Sequence, residues 1–162
     1  MKEFKEFINL FDKDIIVYIS ERNNSSKQCF DLIYKSYSKN KIIFNGDTVE
    51  QLDFFLWNQR NTLIKIENDI FEIFNNNFFK HFEYLKQFKN NNNLSFLIHT
   101  YHQFKNQSFR DVAFSGQIAH SASVIFSYEK DTLRVIKSRK NLAGIEYKNI
   151  LRKYKIQTLN QI

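Results

Sequence analysis

"DIIVYIS", residues 14–20, decides how this chain folds. Ile15, Ile16, Val17, Tyr18 and Ile19 are apolar without a break. A strand with one face in water alternates apolar and polar side chains, whereas a strand covered on both faces does not need to. The run is also short for a helix. It therefore reads as a strand buried on both faces, and such a strand needs helices above and below its sheet.

The neighbouring sequence supplies them. Residues 2–12 place Phe4, Phe7, Ile8 and Phe11 at helical spacing. Residues 24–38 place Cys29, Phe30, Ile33, Tyr34 and Tyr37 on one side of a second helix. Asp47 or Thr48 caps a third, running through Asn58 with Val49, Leu52, Phe55 and Leu56 on its face. A fourth covers about 77–89, where Phe78, Phe82, Leu85 and Phe88 recur. Between them lie short strand-like runs, KIIF at 41–44, TLIKI at 62–66 and LSFLIH at 94–99. Two further runs, 123–128 and 132–137, flank the turn Glu129-Lys130-Asp131 and read as a hairpin. The tail from Asn149 reads as a last strand, a short helix for docking, or closure of the sheet. The clusters Asn75–Asn77 and Asn90–Asn93 read as loops, because Asn competes with helical bonding and tolerates turn geometry.

The expected fold is an α/β open sheet, parallel in its centre and antiparallel at its C-terminal strands, with helices on both faces. It forms one domain over 1–162, with 145–162 as a candidate docking segment. Ligands of such sheets sit at the carboxyl ends of the strands.

The 162 residues suit one domain, and 43% of them are hydrophobic, which argues against disorder. No segment has the length of a membrane span, and MKEFKEFINLFDKD at the N-terminus lacks the apolar core of a secretory signal. The expected location is the cytoplasm, an organellar matrix or a virus-associated compartment, not a secreted one. A lone cysteine, Cys29, excludes an internal disulfide and reads as an inert thiol. The net charge of +7 favours an anionic partner, nucleic acid first. The absence of Pro, the three Gly and the wealth of Asn, Lys, Ile and Phe also fit an AT-rich genome, in which Lys accumulates without selection for binding.

The stretch SGQIAHSASVIFSYEKDTLRVIKSRKN, residues 115–141, differs from the rest in its small residues and its basic end. Asp111, Ser115, Gly116, Ile118, Ala122, Val124 and Ile125, followed by Lys137, Arg139 and Asn141, resemble a segment of the RecA-like ATPase core, in the form found in DnaB-type replicative helicases and their RadA and KaiC relatives. The resemblance implies that TLIKIEND is similar to a Walker B strand, with Glu67 near its acidic position. It implies that LSFLIHTYHQ leads to a polar sensor at His99 or Gln103, and that Glu21 stands near a catalytic glutamate. It also implies that Lys137 and Arg139 act as a finger on a neighbouring subunit's nucleotide, and that the loop with Lys105, Arg110, Ser115 and Gly116 lines a DNA path.

The sequence departs from that family at its front. No G-x-x-x-x-G-K-[ST] loop exists, and the first glycine is Gly46. Such a loop wraps phosphates in backbone N–H groups. Positioning of that kind supplies most of phosphoryl-transfer catalysis. The strand and loop that carry it thus read as absent, and Glu21, Glu67, His99 and Gln103 as vestiges. The expected role is a non-catalytic accessory protein of DNA replication or recombination. It binds nucleic acid, or a P-loop ATPase subunit or further copies of itself, through Lys105, Arg110, Lys137, Arg139 and Lys140. It needs no cofactor; ATP and Mg²⁺ enter only if a partner supplies the P-loop. Two alternatives stand beside this: a structural or assembly subunit of a larger complex such as a ribonucleoprotein, and an ATPase completed by another chain. Lys137 and Arg139 also fit a phosphate-backbone contact or a solvated strand end. His99, His102 and His120 lack the further ligands of a metal site. Phe54, Phe55 and Trp57, close together on one helix, suggest an outward aromatic surface.

Overall fold

Residues 15–20 do form the central strand. The computed structural model describes residues 2–74, 78–101 and 119–160. Its elements run α1 (Lys2–Ile8), β1 (Ile15–Ser20), α2 (Asn24–Ser36), β2 (Lys41–Phe44), α3 (Val49–Leu56), β3 (Leu63–Ile66), α4 (Ile70–Phe74), α5 (Phe78–Asn92), β4 (Ser95–Tyr101), β5 (Val124–Glu129), β6 (Thr132–Ser138), β7 (Glu146–Lys148) and α6 (Ile150–Asn160). The strands form one seven-stranded sheet in the order β2-β3-β4-β1-β5-β6-β7. Pairing is parallel from β2 to β5 and antiparallel across β5-β6-β7. The fold is an open α/β sheet, as expected.

The unbroken apolar run of β1 follows from its two neighbours above and below. Ile15, Val17 and Ile19 pack with Leu52, Leu56, Ile73 and Leu85 of α3, α4 and α5. Ile16 and Tyr18 point the other way, into a layer with Phe4 and Ile8 of α1, Phe30 and Ile33 of α2, and Ile150 and Leu151 of α6. Period-two alternation sends successive side chains to opposite faces, and both faces here are core.

β1 has hydrogen-bonded partners on both sides, β4 and β5. The chain leaves it through α2 for the far edge, at β2, and returns through β3 to β4 by helices on the other face. Right-handed crossovers require this change of face when the direction reverses. The next strand, β5, then lies on the other side of β1. β1 is the central strand, and α1 is the described element ahead of it.

Several local expectations change. Asn90–Asn92 are not a loop but the last turn of α5, and the helix ends where Asn93 takes φ 54°. Left-handed backbone stops helices this way, and Asn tolerates it. Between β5 and β6, Glu129 still pairs with Thr132, so the turn is two residues, Lys130 and Asp131, both at positive φ. That geometry matches the twist of the flanking strands. The Asp131 carboxylate accepts from the backbone N–H of Leu151 at 2.9 Å, so the turn also caps α6. The tail is accordingly a helix. It docks through Ile150 and Leu151. Gly144 has φ +93°, a backbone region that favours glycine. Of the aromatic trio, Phe54 and Trp57 are 86% and 70% exposed, while Phe55 packs on the Phe44 ring.

Candidate functional site

A cleft of about 370 Å³ opens at the carboxyl ends of β1 to β4, beside the point where the chain reverses direction around β1. Its lining includes Arg22, Lys27, Phe30, Asp31, Glu67, Asp69, Glu72, His99 and Tyr101. Lys65 lies buried beside it, bonded to two of its lining residues, Asp31 and Glu67. Period two sends Ile64 and Ile66 to one face of the sheet and Lys65 to the face of α2. There its ammonium lies 4.8 Å from the Phe30 ring centre and 5.5 Å from that of Tyr34. The side chain is buried, and the ammonium donates to the Asp31 carboxylate and to Glu67 Oε1 at 2.6 Å. Glu67, the expected acidic Walker B position, therefore shares the Lys65 ammonium with Asp31.

His99 follows the same parity on β4. Its Nε2 lies 3.0 Å from Ser20 Oγ, and its ring sits among Tyr18, Phe30 and Tyr101 at 4.2–5.0 Å. Burial pushes its pKa down to about 3, helped by the positive charges of Lys65, Arg22 and Lys27. The imidazole is neutral at physiological pH. Ser20 and His99 are both fully buried. No carboxylate among the described residues bonds the imidazole.

The mouth of the cleft is held by Arg22. Its guanidinium bonds Glu72 Oε1 at 2.8 Å, approaches Asp69 Oδ2 at 3.5 Å, and lies 4.1 Å from the centre of the Tyr101 ring. Asp69 is nearly buried, and that burial raises its pKa above the ordinary carboxylate value. Its other oxygen accepts from Phe71 N–H at 3.0 Å and starts α4. Between β1 and α2 only residues 21–23 intervene, and none is glycine. Asn23 Oδ1 caps α2 by accepting from Ser26 N–H at 2.8 Å. A donor that a phosphate would need at this helix start is thus taken. Among the described residues no three His, Cys, Asp or Glu side chains converge as metal ligands.

Glu21 does not share this cleft. It lines a second groove with Ser25, Ser26, Tyr128, Lys130 and α6. Gln103, Lys105, Arg110, Ser115 and Gly116 lie outside the described residues. Cys29 is buried, and its thiol is pushed up to about 12 by that burial, which leaves it unreactive.

Lys137, Arg139 and Lys140 lie at the opposite end of the sheet, where the parallel strands begin. Ser138 pairs with Val124, the first residue of β5. All three turn back on the chain: Lys137 Nζ donates to Ala122 O at 2.7 Å, Arg139 to His120 O, and Lys140 to Leu10 O. This end also carries Lys13, Lys39, Lys41 and Arg60. Among the described residues the acids of its connections are Asp12, which pairs with Lys39 at 3.0 Å, and Asp14. Among the described residues the carboxyl-end connections show the reverse, with Glu21, Asp47, Glu67, Asp69 and Asp131 against Arg22 and Lys130. The helix geometry explains part of this. α2 and α3 finish at the basic end, where unpaired carbonyls make the helix terminus negative. Lys41 donates to the carbonyls of Tyr34 and Tyr37, each at 2.9 Å, and Arg60 to that of Trp57 at 3.1 Å.

Sequence reasoning missed Lys65, Asp69, Arg22 and Tyr101. Lys65 alone carried a signal, a charge at a core-facing position of an apolar strand. No protein-family model matches the chain, and no curated protein matches it. No helix among the described residues is long and apolar enough to cross a membrane.

The depressed His99 pKa has a consequence. Between pH 3 and the ordinary histidine value of 6.5 the unfolded chain binds a proton that the folded chain refuses. Stability contributed by neutral His99 is therefore full above pH 6.5 and falls as the pH drops. The expected slope is about 1.4 kcal/mol per pH unit for this one group. Urea unfolding from pH 7 to 4 will show a steeper loss in the native chain than in His99→Gln. Equal slopes would contradict the assignment.

Proposed function

We propose that the chain is a non-hydrolytic accessory protein on a RecA-like scaffold, acting in DNA replication or recombination by binding nucleic acid. The observation that carries this reading is the division of charge along the sheet. In the carboxyl-end cleft Arg22 is paired with Asp69 and Glu72, and Lys65 with Asp31 and Glu67, which leaves Lys27 as the cation of its lining without an acidic partner among the described residues. The amino end presents cations with few acids beside them, and Lys13, Arg139 and Lys140 are exposed there. Phosphates attract such a surface through counterion release. The hydrogen bonds of Lys41 and Arg60 to helix ends fix those cations in place and leave their positive charge intact.

Titrating a fluorescent single-stranded oligonucleotide at several salt concentrations tests this. Three to four phosphate contacts give a slope of log K against log salt of about −2 to −3. Lys13→Glu with Lys140→Glu will flatten the slope by about 1 to 2. A chain that shows no binding at low salt, or that turns over ATP on its own, would overturn the proposal. The exposed Phe54 and Trp57 favour a second role, that of an assembly subunit with a protein partner. As a finger on a partner's nucleotide, Lys137 and Arg139 would first have to release the carbonyls of Ala122 and His120.

A further inference from the structure

Two exposed helix faces carry the same spacing with opposite charge. On α3 and its cap, Glu50 and Phe54 are four residues apart, as are Asp53 and Trp57, and such pairs stack on one face of a helix. All four are exposed. No cation among the described residues pairs with Glu50 or Asp53. On α6, Arg152 and Ile156 are four apart, as are Lys155 and Leu159, and these too are exposed, Ile156 by 50% and Leu159 by 69%. The α6 face forms one wall of the groove that also holds Lys130, a groove of about 660 Å³. Among its acids, Asp131 is occupied by the backbone N–H groups of Leu151 and Arg152, while Glu21 and Glu129 remain.

Large exposed apolar side chains that cluster on a face mark an interaction surface. Those described are Leu10, Ile43, Phe54, Trp57, Ile156 and Leu159, and four of the six fall on these two faces. Within one molecule the faces cannot meet. α3 packs on the side of the sheet shared with α5, and α6 on the side shared with α1 and α2. We propose that they meet between molecules: the α3 face of one copy of this chain seats in the α6 groove of the next. Phe54 and Trp57 enter against Ile156 and Leu159, while Glu50 and Asp53 face Arg152 and Lys155. The basic amino end of the sheet is not used, so the inference stands apart from nucleic-acid binding.

A contact between two different patches is head-to-tail, and it repeats into a ring or a filament instead of stopping at a pair. Its small size places it among weak, concentration-dependent associations. The single tryptophan reports on it directly, since Trp57 lies in the contact. Sedimentation of the full chain over a concentration series should show growth beyond dimer, with a matching blue shift of Trp57 emission. Phe54→Glu should be monomeric, and so should Ile156→Glu with Leu159→Glu, with folding of each checked by thermal melting. Mixed in equal amounts, the two variants should form a dimer and grow no further, because each retains one working face. The inference is overturned by a monomer at every concentration, or by self-association that survives both variants. It is also overturned by Trp57 emission that ignores concentration but is quenched by an oligonucleotide.

Discussion

Replacing Asp31 and Glu67 together by their amides will destabilise the chain by about 3 kcal/mol, the low end of the range for breaking a buried pair from one side. The Lys65 side chain is only 1% exposed, whereas Asp31 and Glu67 are 49% and 32% exposed. The carboxylates reach water without their partner, but the ammonium does not. Asp31→Asn with Glu67→Gln leaves a buried positive charge with only neutral oxygens, and those amide oxygens still accept hydrogen bonds, which holds the loss near the low end. The reverse change is the control. Lys65→Met removes the buried charge and keeps the volume, and the carboxylates it leaves behind, Asp31 and Glu67, are 49% and 32% exposed and stay hydrated. Its unfolding free energy should stay within about 1 kcal/mol of the native chain. Urea unfolding of the three proteins decides the matter. Equal losses in both variants would show that Lys65 is not the buried partner.

Phe30→Ala should cost about 3–4 kcal/mol, a usual loss for a large aromatic removed from a core. The Phe30 ring stacks on Tyr18 with centres 5.3 Å apart, and lies 4.7 Å from His99 and 4.8 Å from the Lys65 ammonium. It separates the apolar layer from the charged cleft. Its removal brings water toward the imidazole, and since burial is the first cause of the low His99 pKa, that value will rise from about 3 toward the ordinary one. The acid sensitivity tied to His99 should shrink in the same variant. Histidine proton shifts followed against pH by NMR give this second readout, which a simple loss of packing would not move.

Much of the scaffold was legible in the chain because its strands are buried on both faces. Ile15–Ile19 gave an unbroken apolar run, and Leu52 and Leu56 fell at helical spacing. Ser26 and Thr48 illustrate how local chemistry refines such a reading: Asn23 caps α2 through the N–H of Ser26, and Thr48 caps α3. Asn90–Asn92 misled because residue type argues for a loop while the packing of Phe82 and Leu85 carries the helix to its end. The short helix α4 was not expected, since five residues hold less than two turns of periodicity. The candidate site was harder to see. Glu67 and His99 were named, but their meaning depends on partners far along the chain. Lys65 meets Asp31 across 34 residues, and Arg22 meets Asp69 across 47. The separation of Lys137, Arg139 and Lys140 from Glu67 and His99 is likewise a product of strand direction, which spacing alone does not reveal.

Lysine footprinting with and without single-stranded DNA tests the central claim most directly. The division of charge predicts that Lys13 and Lys140, exposed at the basic end, become protected from acylation on binding, while Lys27 and Lys130 at the carboxyl end react as before. Protection of Lys27 and Lys130 with Lys13 and Lys140 unchanged would contradict it, and would return the binding surface to the cleft.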